Sequence, residues 1–274
     1  MRQAGYIDEQ NVAIEYRWAD GHYDRLPDLV ADLIRQHVAV IAAAPAPSAV
    51  AAKRATDTIP IVFEVGADPV RLGIVASFNR PGGNVTGIVN LSATVLPKRV
   101  EFMHDIVPSA ELIAVLVNPE SPIAQSQMDD VRAAQKLLNV RTELLLARTL
   151  NDIQAAFPKL REMRAGALVI ASDTYLTSQW DEIAALATRY AIPTSHERPE
   201  FVTAGGLMSY GANLADAYRL AGIYTGRVLK GEKPSNLPIQ QATKVELLIN
   251  LKAAKGLGLT VPPALLARAD EVIE

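Results

Sequence analysis

Across 274 residues, 49% of the side chains are hydrophobic and 21% are charged, a globular balance that excludes wholesale disorder. The net charge of -3, with no basic run longer than Lys53-Arg54 or Lys98-Arg99, excludes the concentrated positive face that nucleic-acid binding requires. The absence of cysteine removes disulfides, thiolate metal sites and thiol nucleophiles.

Met1-Arg2-Gln3-Ala4 leads into no apolar core segment, so no signal peptide is expected at this start. Val12 to Trp18 alternates like a strand. Residues 23–36 then place Leu26, Leu29, Val30, Leu33 and Ile34 on one helical face, with Pro27 in the first turn. Val38 to Ala44 reads as a strand buried on both faces of a parallel sheet. The longer apolar stretch around it, Val38 to Ala52, is broken by Pro45 and Pro47 and too short to span a bilayer. A helix over 47–55, a strand at Ile61 to Val65, a helix over 70–78 and a strand at Val85 to Val89 complete a first series.

A second series runs through a helix over 94–107, a strand at Leu112 to Val117 and a helix over 122–138 carrying Met128, Val131, Leu137 and Leu138. It continues with a strand over 142–147, a helix capped by Asn151, a strand at Ala167 to Ala171 and a helix over 178–190. Such alternation predicts an α/β chain with parallel sheets covered by helices on both faces, and its length fits two Rossmann-like lobes. An internal echo supports duplication. The helix-to-strand passage at Thr58-Ile59-Pro60, followed by Pro81-Gly82-Gly83, is matched by Ala191-Ile192-Pro193, followed by Ala204-Gly205-Gly206.

Ligands of open α/β sheets lie beyond the carboxyl ends of the strands, where helix N-termini offer unpaired N–H groups. The loops in that position supply Ala46, Pro47, Ser48, Gly66, Asp68, Asn118, Ser121, Asp173, Tyr175, Glu197 and Tyr210 as candidate ligand-binding residues. Asp68, Ser121 and Asp173 have an equal claim as helix starts. Tyr175, Phe201 and Tyr210 would either stack on a flat ligand or pack beneath the loops.

No catalytic residues, metal ligands or cofactor site are expected. The four histidines show no zinc spacing, Ser209 lacks the glycine of a nucleophile elbow, and no phosphate-cradling glycine loop follows a strand. Asp68 with Asp173 or Glu197 leaves open an enzyme on a two-Rossmann scaffold.

The segments Gly5-Tyr6-Ile7-Asp8-Glu9-Gln10-Asn11-Val12, Ile59-Pro60-Ile61-Val62-Phe63 and Arg80-Pro81-Gly82-Gly83-Asn84-Val85-Thr86-Gly87 form one set. With Gly205-Gly206-Leu207-Met208-Ser209-Tyr210-Gly211, Tyr224-Thr225-Gly226-Arg227-Val228-Leu229-Lys230-Gly231, and the tail segments Glu246 to Lys255 and Ala267 to Asp270, the chain resembles ABC-transporter substrate-binding proteins of the tryptophan- and tyrosine-type receptors. The resemblance implies a type I periplasmic-binding architecture, lobe 1 comprising residues 1–91 and 212–236 and lobe 2 residues 92–211 and 237–274. It implies hinge crossings near Asn90-Leu91, near Tyr210-Gly211 and between Pro234 and Val245, and a small organic ligand in the interlobe cleft. An aromatic amino acid or related carboxylate would be the ligand, a membrane ABC permease the partner, the periplasm the location and a homodimer one assembly. A soluble sensory module is the further alternative. Against the family pattern, the first strand and most of the first helix are missing, which would leave an unpaired edge at the strands 12–18 and 38–44. The expected outcomes are direct pairing of the remaining strands, an edge supplied by a second copy, or low stability of the isolated chain.

Overall fold

A computed structural model describes all 274 residues. After short 3-10 turns at Arg2–Ala4 and Tyr23–Arg25, the chain forms α1 (Leu26–Arg35), β1 (Ile41–Ala43), α2 (Ala46–Ala55), β2 (Ile61–Val65) and β3 (Val85–Val89). Next come α3 (Leu96–Ile106), β4 (Leu112–Val117), α4 (Ala124–Leu138), β5 (Arg141–Leu146), α5 (Leu150–Glu162) and β6 (Ala167–Ile170). Then follow α6 (Thr174–Ser178), α7 (Trp180–Tyr190), β7 (Thr194–His196), α8 (Pro199–Thr203) and β8 (Met208–Ala212). The last elements are α9 (Leu214–Leu229), β9 (Gln240–Gln241), β10 (Val245–Asn250), α10 (Leu251–Gly256), α11 (Pro263–Leu266) and β11 (Glu271–Ile273). No helix is long and apolar enough to cross a membrane.

The chain divides into two compact units, Met1–Leu91 with Ala212–Lys244, and Ser92–Gly211 with Val245–Glu274. The first is built on a four-stranded sheet of order β1-β2-β3-β9, all parallel. β2 and β3 are buried throughout, as mostly apolar strands covered on both faces should be, and they carry the buried polar residues Glu64 and Thr86. Val62 and Ile88 pack against Ala217, Tyr224 and Val228 of α9, and against Leu237 and Ala242. Gly226 of α9 allows a close approach: a Cβ there would lie 2.2 Å from the Cβ of Ala4, so the 3-10 turn Arg2–Ala4 can rest on the helix only over a glycine.

Four expectations for this unit are corrected. Val12 to Trp18 is extended but belongs to no strand; its sole ladder contact is an isolated bridge between Asp8 and Val12. Alternation specifies extended backbone, whereas a strand also needs a neighbour to pair with. The segment is held instead by Arg17, whose guanidinium meets Asp32 of α1 at 2.6 Å, and it leaves Tyr16 and Trp18 exposed and stacked with ring centroids 5.9 Å apart. Residues 70–78 form turns rather than a helix. Ile74 N–H reaches back to the Pro69 carbonyl while Gly73 adopts φ +68°, a left-handed step that ends helical winding after one turn. β1 is shorter than the predicted 38–44 run. Finally, 237–244 belongs with the first unit, because β9 pairs with β3 through Ile88 and Val89.

The second unit carries a seven-stranded sheet of order β11-β10-β8-β7-β6-β4-β5. One face buries Val115, Val169 and Met208 against α3, α4 and α10; the other buries Leu116 and Ile170 against α5 and α7. This is the predicted doubly covered α/β arrangement. Thr149, rather than Asn151, caps α5: its side chain accepts from Asp152 N–H at 3.2 Å and the Asp152 carboxylate accepts from Thr149 N–H at 3.0 Å. The helix predicted over 178–190 is α7, beginning two residues later at Trp180, and the short α6 precedes it across Gln179. Trp180, at the start of α7, packs against the α5–α7 core. The two echoing stretches run α2–β2–β3 in the first unit and α7–β7–α8–β8 in the second.

Candidate functional site

In the first unit, Ala46, Pro47 and Ser48 form the first turn of α2, directly after β1, with a cis peptide bond between Ala44 and Pro45. Proline at the second helical position has no N–H to lose, so the turn presents the Ser48 amide, with Ser48 half-buried. Gly66 and Asp68 follow the neighbouring β2. Asp68 Oδ1 accepts from Val70 N–H at 2.8 Å, so its carboxylate starts the turn that replaces the expected helix. Beside these loops lies a pair that the loop-based reading missed. Glu64 and Asn90 are each 3% exposed, and the Asn90 amide donates to Glu64 Oε1. A carboxylate inside the otherwise apolar run Ile61-Val62-Phe63-Glu64-Val65 was the available signal.

In the second unit, Asn118 follows β4 and Asp173 follows β6, adjacent strands of the sheet. Asn118 Nδ2 donates to Asp173 Oδ1 at 3.1 Å, and Asn118 Oδ1 accepts from Glu120 N–H at 3.0 Å. Asp173 Oδ1 also accepts from Leu176 N–H at 3.0 Å and so caps α6. Ser121 is buried in the turn before α4 but does not cap it; Ile123 stands at the cap position. Tyr175 is partly buried against the α5–α7 core, and burial, together with the Asp152 and Asp173 carboxylates, raises its phenol above the ordinary value. Tyr210 meets Phe102 edge-on at 5.1 Å, a packing contact of the kind that was the alternative to stacking. Phe201 is fully buried against His196, with ring centroids 5.4 Å apart, and so packs in the core.

Glu197 immediately follows β7, and Gly211 of β8 fits closely beside it. A Cβ on Gly211 would lie 2.1 Å from the Glu197 carbonyl oxygen. Glu197 Oε2 is buried without a hydrogen-bond partner. Arg99 of α3 is fully buried; burial pulls its guanidinium down to about 10, with Glu197 opposing the shift, so it remains charged at neutral pH. His196 is fully buried and held well below its ordinary value by burial and by the charges of Arg99 and Arg198. Its Nδ1 accepts from Arg198 N–H at 3.0 Å, which ties the buried ring to the backbone of the following loop.

Two further polar residues escaped the loop-based search because they lie on helices. Arg99 shares the apolar face of α3 with Leu96, Val100 and Met103, and Gln127 shares that of α4 with Ala124, Val131 and Ala134. A polar side chain at core spacing was the signal for both. Asp68, with its carboxylate engaged in a turn, and Asp173, with its carboxylate engaged as a cap, are in different units.

The sequence profile of the family described as ABC transporter substrate binding protein matches residues 1–273. The chain is 25% identical over 259 residues to the tyrosine-binding protein of Clostridioides difficile strain R20291, covering 94% of this chain and 74% of that protein. Among solved structures it resembles a conserved domain protein from Vibrio cholerae O1 biovar El Tor strain N16961, with TM-score 0.91 and 28% identity, covering 99% of this chain and 90% of the other. It shares its fold with the ABC domain from Streptococcus pneumonia solved in complex with L-Trp, with TM-score 0.85 and 23% identity over 97% of this chain and 91% of the other. With the profile spanning its length and parallel sheets sandwiched by helices in both units, the chain belongs to the substrate-binding proteins of ABC transporters.

Proposed function

We propose that this substrate-binding protein takes an aromatic amino acid or a related carboxylate, delivers it to a membrane ABC permease from the periplasmic side, and releases it chemically unchanged. The carrying observation is the match of the family profile to residues 1–273, joined by a relative that is a tyrosine-binding protein. The ligand contacts belong to the carboxyl-end loops: Ala46, Pro47, Ser48, Gly66 and Asp68 of the first unit, and Asn118, Ser121, Asp173, Tyr175, Glu197 and Tyr210 of the second. An anionic ligand group at the first turn of α2, or at the Ser121 turn, would gain about 0.3–1 kcal/mol from the local backbone donors when exposed and up to ~2 kcal/mol when partly buried.

The chemistry of the second unit supports binding over turnover. Asp173 is committed to Asn118 and Leu176, and His196 is buried and neutral. Titration calorimetry with L-tyrosine, L-tryptophan and indole-3-acetate tests the ligand class, and chromatography of the released compound tests for turnover. Saturable binding with intact recovery is the expected result. No heat and no thermal stabilisation with any of the three removes the aromatic reading, and recovery of a converted product removes the receptor reading.

A further inference from the structure

Ser172 immediately precedes Asp173, the cap of the short helix α6 that carries Tyr175, and all of its polar groups are engaged. Its N–H donates to Gln127 Oε1 at 2.7 Å and its carbonyl accepts from Gln127 Nε2 at 2.9 Å, so one side-chain amide grips both sides of its backbone. Its hydroxyl donates to the Ser92 carbonyl at 3.1 Å and accepts from an Arg99 terminal nitrogen at 3.1 Å. The other Arg99 terminal nitrogen donates to the Ile170 carbonyl at 2.6 Å. Ser172 is 4% exposed, Gln127 1% and Arg99 0%. Ser92 is the first residue of the second unit, where the chain passes into it from the first.

This arrangement is expensive as packing alone. A buried guanidinium carries a desolvation cost that a methionine of similar length would avoid, and Arg99 Nε is left without a partner. What the guanidinium and the amide supply is directional: fixed donors and acceptors that set one short stretch of backbone, Ile170 to Ser172, against α3, α4 and the Ser92 carbonyl. From Ser172 the constraint continues to its neighbour Asp173, which is braced by Asn118 and caps α6.

We infer that Ser172, gripped by Gln127 and tied through its hydroxyl to Ser92 and Arg99, is a positioning residue that locks Asp173 and helix α6, which carries Tyr175, to the point where the chain passes into the second unit. As a statement about ligand binding, this rests on the proposed assignment of Asp173 and Tyr175 to the ligand site. As a statement about the helix, it stands without it. Ligand affinity then depends on residues that touch no ligand, because binding to a loose helix must also freeze it.

The test uses Ser172→Ala and Gln127→Met in the full chain, with Thr149→Ala as a control that removes the α5 cap outside the network. In ligand-free protein, hydrogen exchange at Leu176 and Thr177 is compared with that at Ala114 and Leu116 of β4. Both network variants should exchange about tenfold faster at Leu176 and Thr177, the equivalent of one net hydrogen bond, with β4 unchanged. Thr149→Ala should leave these two amides unaffected. Affinity for L-tyrosine or L-tryptophan, whichever wild type binds, should fall by a similar factor of about ten in the network variants only. Wild-type exchange at Leu176 and Thr177 in both network variants, or acceleration matched in β4 and in Thr149→Ala, overturns the inference. Absence of wild-type binding to either amino acid counts against the proposed function, and the exchange result then decides the positioning role by itself.

Discussion

Asn118 Nδ2 and Asp173 Oδ1 lie 3.1 Å apart, a hydrogen bond that joins the loops following β4 and β6. Both residues stand where the ligand of an open α/β sheet is expected, and each is held in place chiefly by the other and by backbone amides. The pair therefore fixes the geometry of the two chain segments that follow β4 and β6.

Asp173→Ala removes the α6 cap and leaves the buried Asn118 amide short of an acceptor. A lost cap costs about 0.5–2 kcal/mol, and an orphaned buried donor adds roughly 1–3 kcal/mol. We expect Asp173→Ala to lower the urea midpoint clearly and to weaken binding of L-tyrosine, with Asp173→Asn intermediate because its amide oxygen can still cap. Equal midpoints for wild type and Asp173→Ala would show that this bond is absent in solution.

His196 makes stability depend on pH. Its folded pKa lies well below the ordinary 6.5, so between those two values the unfolded chain holds a proton that the native protein does not. Stability is thus complete above about pH 6.5 and falls as the solution is acidified through that window, with a slope of at most about 1.4 kcal/mol per pH unit for one proton. Melting curves from pH 7.5 to 5 should show this loss, and a His196→Gln variant should have a shallower slope. Identical slopes would exclude His196 as the source.

Gly226→Ala sets two effects against each other. Alanine in a helix interior gains about 1 kcal/mol over glycine, whereas a Cβ only 2.2 Å from the Ala4 Cβ forces overpacking of about 1–3 kcal/mol. The clash should win, and the melting temperature should drop. A rise would mean that the Arg2–Ala4 turn does not rest on α9.

The two candidate tyrosines should separate. Tyr210 packs edge-on against Phe102, and Lys98 and Arg268 each lie over the Phe102 ring, at 4.9 and 4.8 Å from its centroid. Tyr210→Ala should therefore cost stability as well as binding, while Tyr210→Phe should preserve stability. Tyr175→Phe should leave stability near wild type, and Tyr175→Ala should weaken binding of an aromatic ligand by more than its effect on melting accounts for. Unchanged affinity in both alanine variants would place the aromatic contact elsewhere.

The strands at 61–65, 85–89 and 112–117 were legible to the residue because short, mostly apolar, β-branched runs end there at Gly66, Asn90 and Asn118, too short for a helix of normal length. The extended 12–18 segment misled because its alternation is real and its partner is not encoded nearby. The helix expected at 70–78 failed at one residue, Gly73, whose positive φ outweighs the apolar pattern around it. Asp173 was legible as a loop residue, but its bond to Asn118 spans 55 positions and emerges only from strand order. Arg99 and Gln127 were visible as polar residues at core spacing, yet a search confined to loops could not reach them.

The two tryptophans give the molecule built-in optical labels. Trp18, 68% exposed and stacked on Tyr16, belongs to the first unit, and Trp180, packed against the α5–α7 core, belongs to the second. Their emission should separate into a red-shifted, readily quenched component and a bluer, shielded one. Trp180 follows α6 by two positions, so in a Trp18→Phe background its fluorescence becomes a single-site monitor of that helix, read without any added dye.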